Sequence, residues 1–180
     1  MTKRDFAILT LALAIAPGWA AAEVLDSSAA GFTVKETIQI QAPPQDVYAR
    51  IFHIADWWNS THTFSQDAHN LSLEEKVGGC FCEKFPAGGG VKHMEVVYLM
   101  PSKQIVLHGA LGPMQTMAAN GSMLIQLSAA NGGTKLEVTY AVGGYTPNGL
   151  VNMGVAVDGV LKDMFTRLKS LIEKGDPAAK

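Results

Sequence analysis

The sequence predicts an α+β domain in which a run of antiparallel strands lies between a short helical segment and a long closing helix. Three observations predict it. Residues 32–41, FTVKETIQIQ, place Phe32, Val34, Ile38 and Ile40 on one face and Lys35, Thr37, Gln39 and Gln41 on the other, the period of a half-buried strand. Leu150, Met153, Val157, Leu161, Met164, Leu168 and Leu171 step by three or four, which puts them on one stripe of a helix. Between these two, Gly88-Gly89-Gly90 and Asn131-Gly132-Gly133 separate short apolar segments as hairpin breaks.

At 180 residues and 19.2 kDa the chain suits one domain with a sizeable core. Apolar residues make up 48% and charged residues 17%, which excludes a disordered chain. The formal net charge of -2 lacks the basic excess of a nucleic-acid binder. Two cysteines cannot build a disulfide framework.

The N-terminus carries an address. Lys3 and Arg4 precede an apolar run from Phe6 to Ala16, Pro17-Gly18 breaks it, and Ala20-Ala21-Ala22 forms a small-x-small cleavage site before Glu23. This order predicts a secretory signal peptide over residues 1–22, cleaved near Ala20–Ala22. The apolar run rises only about 16 Å at about 1.5 Å per residue, too short for about 30 Å of hydrocarbon, so no membrane span is expected there. The mature protein is expected to be secreted or periplasmic. Residues 23–31 are small and polar and read as a linker, 32–175 as the domain, and 176–180 as a tail.

After the first strand, Pro43-Pro44 stops the ladder and opens a helix, because proline lacks a strand donor and fits a first helical turn. Val47, Ile51 and Ile54 recur at helical spacing, and the unperiodic stretch from Asp56 to His69 reads as a second short helix and a loop. Strands are expected over 70–75, 80–85, 91–100, 103–109, 122–128 and 134–142, about seven in all with the first. In the last of them Leu136, Val138, Tyr140 and Val142 face one way and Lys135, Glu137 and Thr139 the other, so one sheet face meets a core and one meets water. Gly175 is placed to cap the final helix, Lys169 and Lys174 suit its negative end, and Pro177 cannot continue it.

Several strings in this order resemble the START/Bet v 1-like superfamily (SRPBCC, helix-grip fold), in its polyketide-cyclase and Hsp90-ATPase-activator-like (AHSA1-like) branch. They are the first strand followed by Ala42-Pro43-Pro44-Gln45-Asp46-Val47-Tyr48, the Trp57-Trp58 pair, Val77-Gly78-Gly79-Cys80-Phe81-Cys82-Glu83, Pro101 before a strand, Gly133-Thr134-Lys135-Leu136, and the amphipathic last helix. The resemblance spans roughly residues 32–173. It implies a curved antiparallel sheet gripping the long helix, with an apolar cavity between them, and it implies no single function, since the scaffold hosts carriers, cyclases, hydrolases and chaperone cofactors.

A small hydrophobic ligand is therefore the expected partner. The residues expected to touch it are Trp57, Trp58, Phe64, Phe81, Tyr98, Met114, Tyr140, Met153 and Val157. The two tryptophans either stack on a ligand at the cavity mouth or simply pack. Gly154 and Gly159 interrupt the final helix, through close backbone packing, mere tolerance, or space left for a ligand. The apolar loop from Gly109 to Gln115 is expected to fold over the cavity as a lid.

Three residues are candidates for acid–base chemistry: His62 on the loop after the tryptophans, Glu83 on an apolar strand face, and His93 across the hairpin from it. Outward phenylalanines at both 81 and 85 would be unusual, so Glu83 is read as inward. His93 and Glu95 compete with Met94, Val96 and Tyr98 for the core face of their strand. Cys80 and Cys82 would stand about 6.6 Å apart in a regular strand, too far for a bridge without a bulge. Two small thiols, buried or half-buried, are expected. No cofactor or metal site is expected, because the histidines are scattered and no second paired motif exists. Enzymes of the cyclase, dehydratase or hydrolase type are the alternative function. A chaperone-activating role fits the predicted export poorly, since the ATPase that such a module serves is cytosolic.

Overall fold

The computed structural model describes residues 21–179. The charged start and apolar run of the predicted signal peptide lie outside the described residues. In chain order the elements are β1 (Ala21–Ser28), β2 (Gly31–Ile40), α1 (Pro44–Phe52), β3 (Leu71–Leu73), β4 (Cys80–Lys84), β5 (Gly90–Met100), β6 (Gln104–Gly109), β7 (Ala118–Ala130), β8 (Gly133–Tyr145) and α2 (Met153–Lys174). The strands form one curved, open antiparallel sheet in the order β1-β2-β8-β7-β6-β5-β4-β3.

The strongest sequence patterns become the middle of this sheet. On β2 Phe32, Val34, Ile38 and Ile40 are buried, and on β8 Leu136, Val138, Tyr140 and Val142 are buried. The two strands pair in register from Gly31↔Gly143 to Ile40↔Thr134. The Asn131-Gly132 turn joins β7 to β8 with positive φ at both residues (50° and 75°), the geometry for which Asn-Gly is selected.

Two expectations change. Residues 23–31 are not a linker: β1 pairs with β2 from Ala21↔Thr37 to Ser28↔Gly31. It is an edge strand with a register shift between Val24 and Asp26, so it needs little apolar surface and shows no clean alternation. The sheet therefore has eight strands rather than seven. The expected second helix after α1 is instead three single 3-10 turns, Ile54–Asp56, Ser60–His62 and Ala68–Asn70. Short polar side chains cap the latter two, Asn59 accepting from the Thr61 N–H and Asp67 from the His69 N–H.

Helix α2 ends as its sequence requires. Gly175 takes the left-handed conformation (φ 75°) and its N–H bonds the Leu171 carbonyl. Leu161, Met164, Phe165 and Leu168 are fully buried, whereas Leu150 is buried just ahead of the helix. Gly154 marks a close approach: a Cβ there would lie 3.3 Å from Phe32 Cβ and 3.4 Å from Val24 Cγ1. Gly159 meets nothing within 4 Å. Neither glycine lines a cavity. The helix lies chiefly on β1 and β2. Over the other half of the sheet its apolar stripe meets the segment after α1 instead, and there a hollow remains.

Candidate functional site

The hollow is a cavity of about 360 Å³ bounded by the α2 stripe, β4, β5, the 3-10 turns after α1 and the loop after β6. That volume lies in the ~300–1,000 Å³ range of small-molecule sites. Trp58, Phe81, Met114 and Leu161 form its buried wall. Met153, Val157 and Val160 add the helix side, and Phe64, Ala156 and Pro113 are exposed around the mouth.

Its walls are set by local constraints. Trp58 Nε1 donates to the His62 carbonyl (3.1 Å), and Asn59 Nδ2 donates to Asp163 (2.9 Å), tying the turn of Ser60–His62 to α2. The loop from Gly109 to Gln115 lies over the cavity through Leu111, Gly112, Pro113 and Met114. Gln115 Nε2 pins it by donating to the carbonyls of Lys92 (3.0 Å), His93 (3.3 Å) and Ala110.

The polar feature at the inner wall comes from an irregular hairpin. Phe81 pairs with Met94 but Cys82 pairs with Lys92, so His93 is an extra residue in β5. This bulge turns His93 and Met94 both inward, at 5% and 1% exposure, where a regular strand would have chosen one of them. A second bulge leaves Val97 extra, because Val96 pairs with Leu107 and Tyr98 with Val106. Beyond it the alternation is reversed.

Glu83 points inward and is 1% exposed. Its carboxylate accepts hydrogen bonds from the Phe64 N–H (3.1 Å) and the Ser65 N–H, and its Oε2 lies 3.1 Å from His93 Nε2. Burial pushes the Glu83 carboxyl up, but the bonds from Ser65, Phe64 and His93 outweigh it and hold the group below the usual carboxylate range. Burial also pulls the His93 imidazole below its usual value, and Glu83 only partly opposes this. At neutral pH the pair is therefore a carboxylate and a neutral imidazole. A carboxylate only accepts, so Nε2 carries the proton and Nδ1 carries the lone pair. Among the described residues Nδ1 is buried without a hydrogen-bond partner.

The remaining expected site residues divide clearly. Trp58, Phe64, Phe81, Met114, Met153 and Val157 line the cavity, as do His93 and, at the exposed mouth, His62. Trp57 does not: it is packed against Phe165 at 5.6 Å between ring centroids, and its Nε1 donates to the Arg50 carbonyl. Tyr98 is 41% exposed on the outer face, because the Val97 bulge puts Leu99 inward in its place. Tyr140 is buried in the sheet core, where its hydroxyl donates to the Gly109 carbonyl (3.0 Å), and it does not reach the cavity. Sequence reasoning did not name Val160 or Leu161 as cavity residues, although Leu161 lies on the legible stripe of α2 and Val160 beside it, whereas Leu111 belongs to the loop expected to cover the cavity. The two backbone N–H donors that hold Glu83 had no sequence signal.

Cys80 and Cys82 are joined in a disulfide, in place of the expected thiols, with Cα atoms 5.3 Å apart. The register shift at Phe81/Cys82 departs from the regular strand whose spacing would keep them apart. Among the described residues no three His, Cys, Asp or Glu side chains converge to hold a metal ion. No helix there is long and apolar enough to cross a membrane.

Solved structures with the same arrangement include the Aha1 dimer of Colwellia psychrerythraea (TM-score 0.55, 18% identity, 79% of this chain and 97% of that one). Protein MLL2253 of Mesorhizobium loti is similar too (TM-score 0.58, 20% identity, 80% and 98%). So is CalU16 of Micromonospora echinospora (TM-score 0.57, 14% identity, 89% and 86%). The chain shares their fold. No family model and no curated protein sequence matches the chain.

Proposed function

We propose that this is an exported carrier or sequestering module of the START/Bet v 1-like superfamily, in its polyketide-cyclase and Hsp90-ATPase-activator-like branch, that holds a small hydrophobic molecule between its sheet and its C-terminal helix. The observation that carries the reading is the 360 Å³ cavity, walled by Trp58, Phe81, Met114, Val157 and Leu161 and open at Phe64 and Pro113. An apolar hollow of that size that reaches solvent supports a binding-site reading. Export is supported by the charged start, apolar run and small-residue cleavage site, and by a disulfide, which persists in oxidising compartments.

Native mass spectrometry of protein purified from the periplasm of its host tests the proposal. An N-terminus at or near Glu23 and a copurifying apolar molecule are expected. A retained residues 1–22 segment contradicts the address, and failure to carry or bind any member of a broad apolar panel contradicts the cavity reading.

A second reading, an enzyme of the cyclase, dehydratase or hydrolase type, is favoured by one observation, the buried Glu83–His93 pair at 3.1 Å. His62, on the exposed rim, is the third residue available to it. Its test is turnover of a panel substrate that is abolished in His93→Gln.

A further inference from the structure

The outer face of β4 carries a disulfide whose two ends bracket a residue of the cavity wall. Cys80 and Cys82 are half-buried there and joined, with only Phe81 between them. Phe81 points the other way and is 4% exposed. Its ring meets Trp58 (5.5 Å between centroids) and His93 (4.9 Å), and all three residues line the cavity. Phe64, at the mouth, stacks on His93 (6.0 Å, 12° between planes).

The bridge and the irregularity in the ladder occupy the same step. The Cα atoms of Cys80 and Cys82 stand 5.3 Å apart, against about 6.6 Å in a regular strand. Within that shortened stretch the register shifts, Phe81 pairing with Met94 and Cys82 with Lys92, so β5 has one residue more than β4. Regular pairing onward from Phe81 would set His93 opposite Cys82, and residues directly opposite share a face. His93 would then turn outward, leaving Phe81 and Phe64, and the wall would lose one of its rings.

We infer that this disulfide is a redox latch on the cavity, opened by a dithiol that reaches the outer face of β4. The inference deepens the carrier reading and rests on it. The bridge is suited to opening: it is partly exposed, and closing a loop of three residues restricts the unfolded chain far less than a long loop does. A thiolate of the dithiol attacks one sulfur of the pair, forming a mixed disulfide as the Cys80–Cys82 bond breaks. The displaced cysteine takes up the proton. The second thiol of the dithiol then closes its own disulfide and frees the other cysteine, so two electrons and two protons pass to this protein. With the bond gone, β4 returns to regular spacing, the extra residue of β5 loses the constraint that holds it, and the ligand is released.

The test titrates 2-naphthol by fluorescence at pH 7.5 into the oxidised protein, into protein held in excess dithiothreitol, and into the double variant Cys80→Ser, Cys82→Ser with and without dithiothreitol. The oxidised protein is expected to bind at least about fivefold more tightly than the reduced protein or the double variant, the lower end of a typical coupling between two sites. Dithiothreitol changes nothing in the double variant, and reoxidation restores the wild type. Hydrogen exchange read by mass spectrometry needs neither ligand nor variant: reduction is expected to speed exchange over β4 and residues 90–95 and to leave β2 and β8 unchanged. Equal affinity with the bridge open, iodoacetamide confirming both thiols, overturns the inference and leaves the carrier reading standing. A bridge that dithiothreitol cannot open in the folded protein, or exchange that is unchanged or rises evenly along the chain, overturns it in the same way. Failure of the oxidised protein to bind 2-naphthol or any member of the apolar panel overturns the two together.

Discussion

Glu83 and His93 meet at 3.1 Å across the β4–β5 hairpin because β5 contains one residue too many. Without the bulge, the inward alternation of Met94 and Val96 would send His93 to solvent. Glu83 would then be a buried carboxylate with only two backbone donors. The irregularity in the ladder and the polarity of the cavity wall are one feature.

Removing the carboxylate tests this coupling. Glu83→Ala leaves the Phe64 and Ser65 amides and the His93 ring without their acceptor, and is expected to cost roughly 3 kcal/mol of stability. Urea unfolding at pH 7.5 measures it. A loss below about 1 kcal/mol means that the loop of Phe64 and Ser65 is not held by Glu83.

Acid titration has a definite sign at this pair. Both folded-state values lie below the ordinary ones, so the unfolded chain binds protons first as pH falls. The pair's contribution is present above about pH 6.5 for His93 and above about pH 4.5 for Glu83, and each is lost as pH falls through the lower folded value. His93→Phe is expected to flatten the upper part of this decline, which begins as pH falls below about 6.5, read as the melting temperature against pH. An unchanged profile contradicts a neutral buried imidazole.

Glu36 behaves in the opposite sense. It is 0% exposed beneath α2, and neither oxygen has a partner among the described residues. Burial, then the charge of Asp158, push its carboxyl up to about 7, with Lys162 opposing. A raised folded value means a contribution complete below pH 4.5 and lost as pH rises through about 7. Glu36→Gln is therefore expected to stabilise the protein at pH 8, by on the order of 2 kcal/mol, and to leave it nearly unchanged at pH 4.5. Equal effects at both pH values contradict the assignment.

The two helix glycines separate packing from tolerance. Gly159→Ala places a methyl in open space and is expected to add about 1 kcal/mol by helix propensity alone. Gly154→Ala brings the methyl against Phe32 and Val24 and is expected to add less or to destabilise. Thermal unfolding of both variants decides, and equal gains contradict the close approach of α2 to β2.

How much of this was legible follows from where the regular patterns run. The alternation of residues 32–41 and 134–142, the hairpin at Asn131-Gly132 and the stripe from Leu150 to Leu171 each state their own geometry, so the sheet, its inner face and its long helix could be read directly. The edge strand β1 could not, since a strand with one paired side needs few apolar residues. The bulges at His93 and Val97 were invisible because they depend on a neighbour's register. That is why Tyr98 was placed inward, and why His93 and Met94 looked like rivals when both are buried. The disulfide escaped for the same reason, because a regular strand keeps Cys80 and Cys82 apart.

The most direct test of the central claim is a crystal structure of the protein soaked with 2-naphthol. Density for the naphthyl ring between Trp58, Phe81 and Val157 is the predicted result. A hollow closed by the protein's own side chains, or a probe seated only outside it, would contradict the account.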